Sequence, residues 1–265
     1  MKRRALFMAA TAMSFGALAQ PAPVKVLAAG SLRAALTDVA RAFEAGMPGA
    51  KVELGFGASG LLKDRLAGGE RADVFASANM AHPQALAAAG KAAPPQAFAR
   101  NTLCALGAAG FRATPETLVD RLLDPAVRVG TSTPKADPAG DYAFAMFERI
   151  EKSGRPGAQK ILADKALQLT GGPNSPPPPK DRNVYGMLVA TGQADVFLTY
   201  CTNVVIAQRE EPALVRIEVP EAVNVSASYG VTLLDGAPEA AQQFVKFMLS
   251  PAGQAVLARH GFAAP

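Results

Sequence analysis

Val24-Lys25-Val26-Leu27-Ala28-Ala29-Gly30-Ser31-Leu32 passes from an apolar run, through a glycine and a serine, into a stripe of helical spacing. The run has the composition of a buried strand. Beyond it Leu32, Ala35, Leu36, Val39 and Phe43 fall on one face of a helix, leaving Arg33, Asp38, Arg41 and Glu44 for water. Ser31 stands where an N-cap is expected. A strand, a turn and an amphipathic helix in this order are the opening of a βαβ unit, the building block of a mostly parallel sheet.

The same layout recurs downstream. Val52-Glu53-Leu54-Gly55-Phe56 reads as a strand, and Gly57-Ala58-Ser59-Gly60 opens a helix carrying Leu61, Leu62 and Leu66, so Ser59 is a second serine between strand and helix. Ala72-Asp73-Val74-Phe75-Ala76 is a third strand, followed by a helix over residues 83–89. The rhythm restarts at Leu103-Cys104-Ala105-Leu106. Thr114-Pro115-Glu116 places proline at a first helical position, Val127-Arg128-Val129-Gly130 reads as strand, and Pro138-Ala139-Gly140 opens a long helix. Tyr142, Ala143, Met146, Phe147 and Ile150 form its apolar face, and Gly154 with Pro156 ends it before a second helix over residues 158–165.

Asn174-Ser175 and the prolines Pro176 to Pro179 predict a stiff extended loop, neither helix nor central strand, and a surface connection is its simplest role. A helix from Val184, the strand Val196-Phe197-Leu198-Thr199-Tyr200, a helix over residues 204–209 and the strand Leu214-Val215-Arg216-Ile217 follow. Residues 225–234 are strand-like enough to return the chain to its first half, and helices over residues 239–249 and 252–259 close it. The predicted fold is therefore α/β and two-lobed: each lobe a mostly parallel sheet flanked by helices, joined by two crossovers. Residues 20–99 and 231–265 form lobe 1 and residues 100–230 form lobe 2. The cleft between such lobes is a natural place for a solute.

Lys2, Arg3 and Arg4 precede an apolar run over residues 5–18 that ends in Ala17-Leu18-Ala19. That is the pattern of a secretory signal peptide over residues 1–19, and the run is shorter than the ~20 residues of a membrane-spanning helix. Export to the periplasm is expected. Three of the cations behind the net charge of +5 lie in this leader, leaving +2 on the rest. Without a basic run or interleaved arginines and aromatics, nucleic acid is not an expected partner. Cys104 and Cys201 both sit in or beside apolar strand-like runs, which reads as two buried thiols. Sequence does not place their Cα atoms within the ~4.4–6.8 Å of a bridge, so a disulfide stays open.

Four motifs resemble the periplasmic molybdate-binding proteins of ABC importers, type II solute-binding proteins, and the resemblance spans nearly the whole exported chain. Ala28-Ala29-Gly30-Ser31-Leu32 and Phe56-Gly57-Ala58-Ser59-Gly60 look like the family's first two strand-end signatures, each with a ligand-binding serine. Ala72-Asp73-Val74-Phe75-Ala76-Ser77-Ala78 is similar to its third-strand segment, and Pro138-Ala139-Gly140-Asp141-Tyr142 to the helix start whose alanine amide touches the anion. The resemblance implies a site made of Ser31, Ser59, Ala139, Val184 and Tyr200. These would contact the oxygens of molybdate or tungstate, not serve as direct metal ligands. It implies further that no cofactor is used, that the anion passes to the permease of an ABC importer in the inner membrane, and that the protein acts as a monomer.

The residue types suit that chemistry. Helix N-termini carry unpaired N–H groups and a positive dipole end, and serine and tyrosine hydroxyls add neutral donors that hold a dianion without trapping it. The plainer alternative for each serine is capping, which stabilises any helix by about 1 kcal/mol. Three features depart from the family pattern. The tetraproline loop carries Lys180 and Arg182 toward the Val184 helix, where they could retune the choice of anion or simply be solvated, and Cys201 follows Tyr200 directly. His82 and His260 lie beside no nucleophile elbow or metal-ligand spacing, so an enzyme is not expected. No tyrosine pair of a ferric-ion binder is visible in the sequence. Sulfate, another tetrahedral dianion, is the main competitor.

Overall fold

The computed structural model describes residues 22–179 and 181–265. The predicted signal peptide and Lys180 lie outside the described residues. The described residues form nine strands and ten α-helices: β1 (Val24–Ala29), α1 (Arg33–Gly46), β2 (Val52–Gly57), α2 (Ser59–Ala67), β3 (Val74–Ser77), α3 (Ala81–Ala88) and β4 (Gln96–Gly107) come first. Next come α4 (Pro115–Leu123), β5 (Val129–Ser132), α5 (Pro138–Lys152), α6 (Ala158–Lys165), β6 (Leu167–Thr170), α7 (Val184–Ala190) and β7 (Val196–Tyr200). The chain ends with α8 (Cys201–Glu210), β8 (Val215–Glu218), β9 (Ser226–Leu233), α9 (Glu239–Leu249) and α10 (Pro251–Arg259). Among the described residues no helix is long and apolar enough to cross a membrane.

The strands are ordered β2-β1-β3-β9-β4-β7-β5-β6, with β8 on β4. At one end β1 runs parallel to β2 and β3, and at the other β5 runs parallel to β6 and β7, as βα units require. Between them β4 pairs antiparallel with β9 through Gln96–Thr102, then with β7 and β8 through Leu103–Gly107. The sheet is thus mixed, because the strands that carry the chain from one lobe to the other run antiparallel to their neighbours. β4 is the outward crossing, and β9 belongs to the return.

Side-chain alternation sorts the core. On β7, Val196, Leu198 and Tyr200 join a core that extends through both lobes, while Phe197 points to a separate cluster with Leu106, Tyr185, Leu188 and Val204. In the first lobe Leu62, Leu66, Phe75 and Leu86 fill the corresponding space under α2 and α3. The α1 stripe of Ala35, Leu36, Val39 and Phe43 is buried, as its spacing predicts. Thr114 and Thr117 form a capping box around Pro115 at the start of α4.

Two local expectations change. Cys104 and Cys201 form a disulfide, with Cα atoms 4.8 Å apart. The favoured reading as free thiols missed it because β4 and β7 pair with Leu103 opposite Tyr200, which brings residues 97 positions apart into adjacent strand ends. Ser31 is not the N-cap of α1: it lies in a 3₁₀ turn, Gly30–Leu32, and makes no capping hydrogen bond.

Candidate functional site

A cavity of about 580 Å³ lies between the lobes. From the first lobe it is lined by Ser31 and Arg33 after β1, and by Phe56 to Ser59 after β2. From the second it is lined by Asp137 before α5, Thr170 to Gly172 after β6, Val184 and Tyr185 on α7, and Tyr200 at the end of β7. The strand-end loops of both lobes thus converge on one space, because in each lobe the parallel strands point their carboxyl ends at the cleft. Pro176 to Pro179 form part of the wall rather than a remote surface connection.

Of the residues singled out from sequence, Ser31, Ser59, Val184 and Tyr200 all line this cavity. Ala139 is fully buried at the second position of α5 and is not among the lining residues; its amide donates to Asp137 Oδ1 at 3.0 Å. At α7 the Asn183 side chain accepts from the amide of Gly186 at 3.0 Å, and the Val184 amide at the first helical position has no intrahelical acceptor.

Neither serine is used for capping. Ser59 is the first residue of α2, is 1% exposed, and its Oγ accepts from the amide of Ala78 at 3.1 Å, which leaves its hydroxyl hydrogen free to donate. Ser31 Oγ lies 3.0 Å from the Tyr229 hydroxyl, and with Tyr229 donating the Ser31 hydrogen is likewise free. The capping explanation for these two serines therefore fails on geometry.

Tyr200 carries the clearest signal. It is 1% exposed, yet its phenol oxygen has no hydrogen-bond partner. Leaving a buried hydroxyl unpaired costs about 1–3 kcal/mol, so such a group in a cleft marks a place for a ligand. Burial pushes the phenol well above its ordinary pKa, and the neighbouring Tyr229, Asp137 and Tyr142 push the same way. The group stays protonated and can only donate to an anion or accept from a donor. All four tyrosines of the chain gather here: Tyr200 packs 5.6 Å from Tyr229 and 6.2 Å from Tyr142, and Tyr185 lines the cavity with it. The cluster is not legible along the chain, because the four come from α5, α7, β7 and β9.

Asp137 was also missed. It is the N-cap of α5, and burial pushes its carboxyl up to about 6, although the Ala139 amide pulls it down. The available signal was Asp before Pro at a helix start, an N-cap pattern. Of the cations near the cleft, Arg182 pairs with Glu211 at 2.8 Å, and Arg33 stacks 4.6 Å over the Phe56 ring. Among the described residues, the one set of His, Cys, Asp or Glu side chains close enough to share a metal ion is Cys104, Cys201 and Glu218. Both sulfurs there are spent in the disulfide, and the cleft is lined instead by hydroxyls and backbone amides, the Asp137 carboxyl, and the charged side chains of Arg33, Asp181, Arg182 and Glu210.

The profile described as bacterial extracellular solute-binding protein matches residues 24–263. An uncharacterized protein of Pasteurella multocida, PM1146, is 36% identical over 240 residues, covering 90% of this chain and 98% of its own. The molybdate-binding protein ModA of Mycobacterium tuberculosis is 32% identical over 245 residues, covering 91% and 85%. Among solved structures, the sulfate-binding protein SubI of Mycobacterium tuberculosis superposes with a TM-score of 0.77 at 18% identity, covering 91% of this chain and 86% of that one. This last likeness speaks to the periplasmic-binding-protein fold alone.

Proposed function

Because this chain belongs to the bacterial extracellular solute-binding protein family, a family of binders and not of enzymes, we propose that it captures a small oxyanion for an ABC importer. Molybdate or tungstate is the first choice. The 32% identity to a molybdate-binding protein over nearly the full chain supports it, as do Ser31, Ser59, Val184 and Tyr200 around one cleft. The observation that carries the reading is the buried, unpartnered phenol of Tyr200 beside two serines that cap nothing.

The binding step follows from these donors. The two serine hydroxyls, the Tyr200 phenol and the Val184 amide each donate to an oxygen of the anion, and no covalent step is involved. Charge-assisted hydrogen bonds of this kind contribute about 1.5–3 kcal/mol each. In this reading residues 1–19 are removed on export to the periplasm. Residues 20–99 and 231–265 act as lobe 1, residues 100–230 act as lobe 2, and the closed monomer docks on the permease.

Sulfate is the second reading, favoured by the 27% identity to a Synechocystis sulfate-binding protein over 228 residues. Titration calorimetry with molybdate, tungstate and sulfate separates the two. Micromolar or tighter binding of the first two with sulfate at least a hundredfold weaker supports the first choice; the reverse order replaces it.

A further inference from the structure

Asp137 does not fit a cleft built only to receive a dianion. Asp137 is one of the residues that line the cavity, and its carboxyl already occupies the N-terminus of α5, accepting from Ala139 N at 3.0 Å, where an incoming anion would otherwise be held. The carboxyl is packed in by design of the backbone. Gly171 sits at φ +79°, and a Cβ there would stand 2.5 Å from Asp137 Oδ2. An ionised carboxylate in that position and an unprotonated dianion in the same cavity repel strongly, because both are shielded from water.

The groups around Asp137 do not neutralise it. On its own helix Asp141 adds a further negative charge, its Oδ1 accepting from the Lys135 amide at 2.7 Å. From β5 the Ser132 hydroxyl lies beside it, and from α7 and β7 come the Tyr185 and Tyr200 phenols, both raised by burial and hence neutral. Across the cleft the first lobe brings Ser31 and Ser59, while His82 of α3 feels the charges of Asp141 and of Lys63 and Asp64 on α2. At the cavity's edge stand Arg33, Asp181, Arg182 and Glu210, with Arg182 held by Glu211.

We infer that Asp137 is itself a ligand-contacting residue, and that the cleft takes up its oxyanion together with one proton, held between the Asp137 carboxyl and an anion oxygen. This rests on the oxyanion reading above. The balance is simple: a carboxylate, a proton from solvent and a dianion become a neutral carboxylic acid donating to the bound dianion, with no bond to the central atom made or broken. Burial pushes the carboxyl up to about 6 in the empty cleft, so the surroundings hold its proton more tightly than water does. A neighbouring dianion raises it further, so above that pH capture must draw a proton in.

The test is calorimetric titration of molybdate into the protein freed of residues 1–19, from pH 6.5 to 8.5, in buffers of different protonation enthalpy. Affinity is expected to fall about tenfold per pH unit across this range, with close to one proton taken up per anion. Asp137→Asn keeps a neutral group that can both cap α5 and donate, so its affinity should be flat with pH and its proton uptake near zero. Burial holds the His82 imidazole below its ordinary pKa of 6.5. A pH-independent affinity in the parent protein, or equal proton uptake in both proteins, overturns the inference while leaving the oxyanion reading intact. Absence of binding by any of molybdate, tungstate, sulfate and phosphate to either protein at any pH overturns both. If Asp137→Asn does not fold, the proton count of the parent protein decides alone.

Discussion

The amide of Gly60 in the first lobe donates to the carbonyl of Ala136 in the second at 2.8 Å, a direct backbone contact across the cleft. Only glycine permits it. A Cβ at position 60 would stand 2.3 Å from the Lys135 carbonyl oxygen and 2.6 Å from that of Ala136, both of them backbone atoms that cannot rotate away. Gly60→Ala should therefore hold the lobes apart and weaken anion binding by tenfold or more, while each lobe keeps its own core. Calorimetry gives the affinity and small-angle scattering the shape: the variant should stay extended with anion present. An unchanged affinity would show that this contact is not part of the closed, binding form.

Removing the phenol oxygen of Tyr200 separates a ligand role from a structural one. Because the hydroxyl is buried and unpaired, Tyr200→Phe should not destabilise the anion-free protein and should raise its stability by about 1 kcal/mol. Anion affinity should fall about ten- to a hundredfold. Ser31→Ala should show the same loss of affinity. Ser59→Ala should lose stability as well, because it orphans the Ala78 amide. Denaturant unfolding without anion, paired with calorimetry, checks each pattern; a Tyr200→Phe protein that unfolds more easily yet binds normally contradicts it.

Asp137 also sets a pH dependence of stability. Its folded pKa, about 6, lies above the ordinary carboxylate value of 3.8, so the folded state binds the proton more tightly than the unfolded chain does. Stability from this group is full below about pH 4 and is lost as pH rises through about 6. The loss approaches about 3 kcal/mol by the relation between pKa and free energy. Asp137→Asn, which cannot ionise, should therefore be more stable than the parent at pH 7.5 by an amount of that order. The two should converge below about pH 4. Urea unfolding across this range measures it, and a parent protein at least as stable as the variant at pH 7.5 would show that the buried carboxyl carries no such penalty.

The Cys104–Cys201 disulfide closes a loop of 97 residues, ties β4 to the start of α8, and sits directly beside Tyr200. Chain-entropy reasoning gives such a loop about 4–5 kcal/mol of stabilisation. Reduction, or the double change Cys104→Ser with Cys201→Ser, should lower the unfolding midpoint by about 10 °C or more. Scanning calorimetry with and without reductant tests this. A midpoint that does not move would mean the bridge stabilises nothing.

Much of this architecture can be read along the chain. The stripe from Leu32 to Phe43, Pro115 and Pro138 at helix starts, and the restart at Leu103 all mark elements where they are found. β6 escaped because Leu167-Gln168-Leu169-Thr170 is a short strand with little burial at its start. β4 proved longer than its apolar centre, since its first part alternates polar and buried residues against β9. Motifs at strand ends pointed to the two serines and the family resemblance to Tyr200, and all three line the cavity. Asp137, the tyrosine cluster and the disulfide were not, because each depends on which strand ends the sheet order brings together. No local period in the sequence encodes that order.

Capture of an oxyanion in the cleft should register in thermal unfolding of the protein freed of residues 1–19, alone and with molybdate, tungstate, sulfate or phosphate. A ligand that binds only the folded state, present at about 100 times its Kd, stabilises that state by about 2.7 kcal/mol, a shift of several degrees in midpoint. A clear upward shift is expected with molybdate and tungstate, and a small one or none with sulfate and phosphate. An unfolding midpoint unmoved by every one of these anions would contradict it.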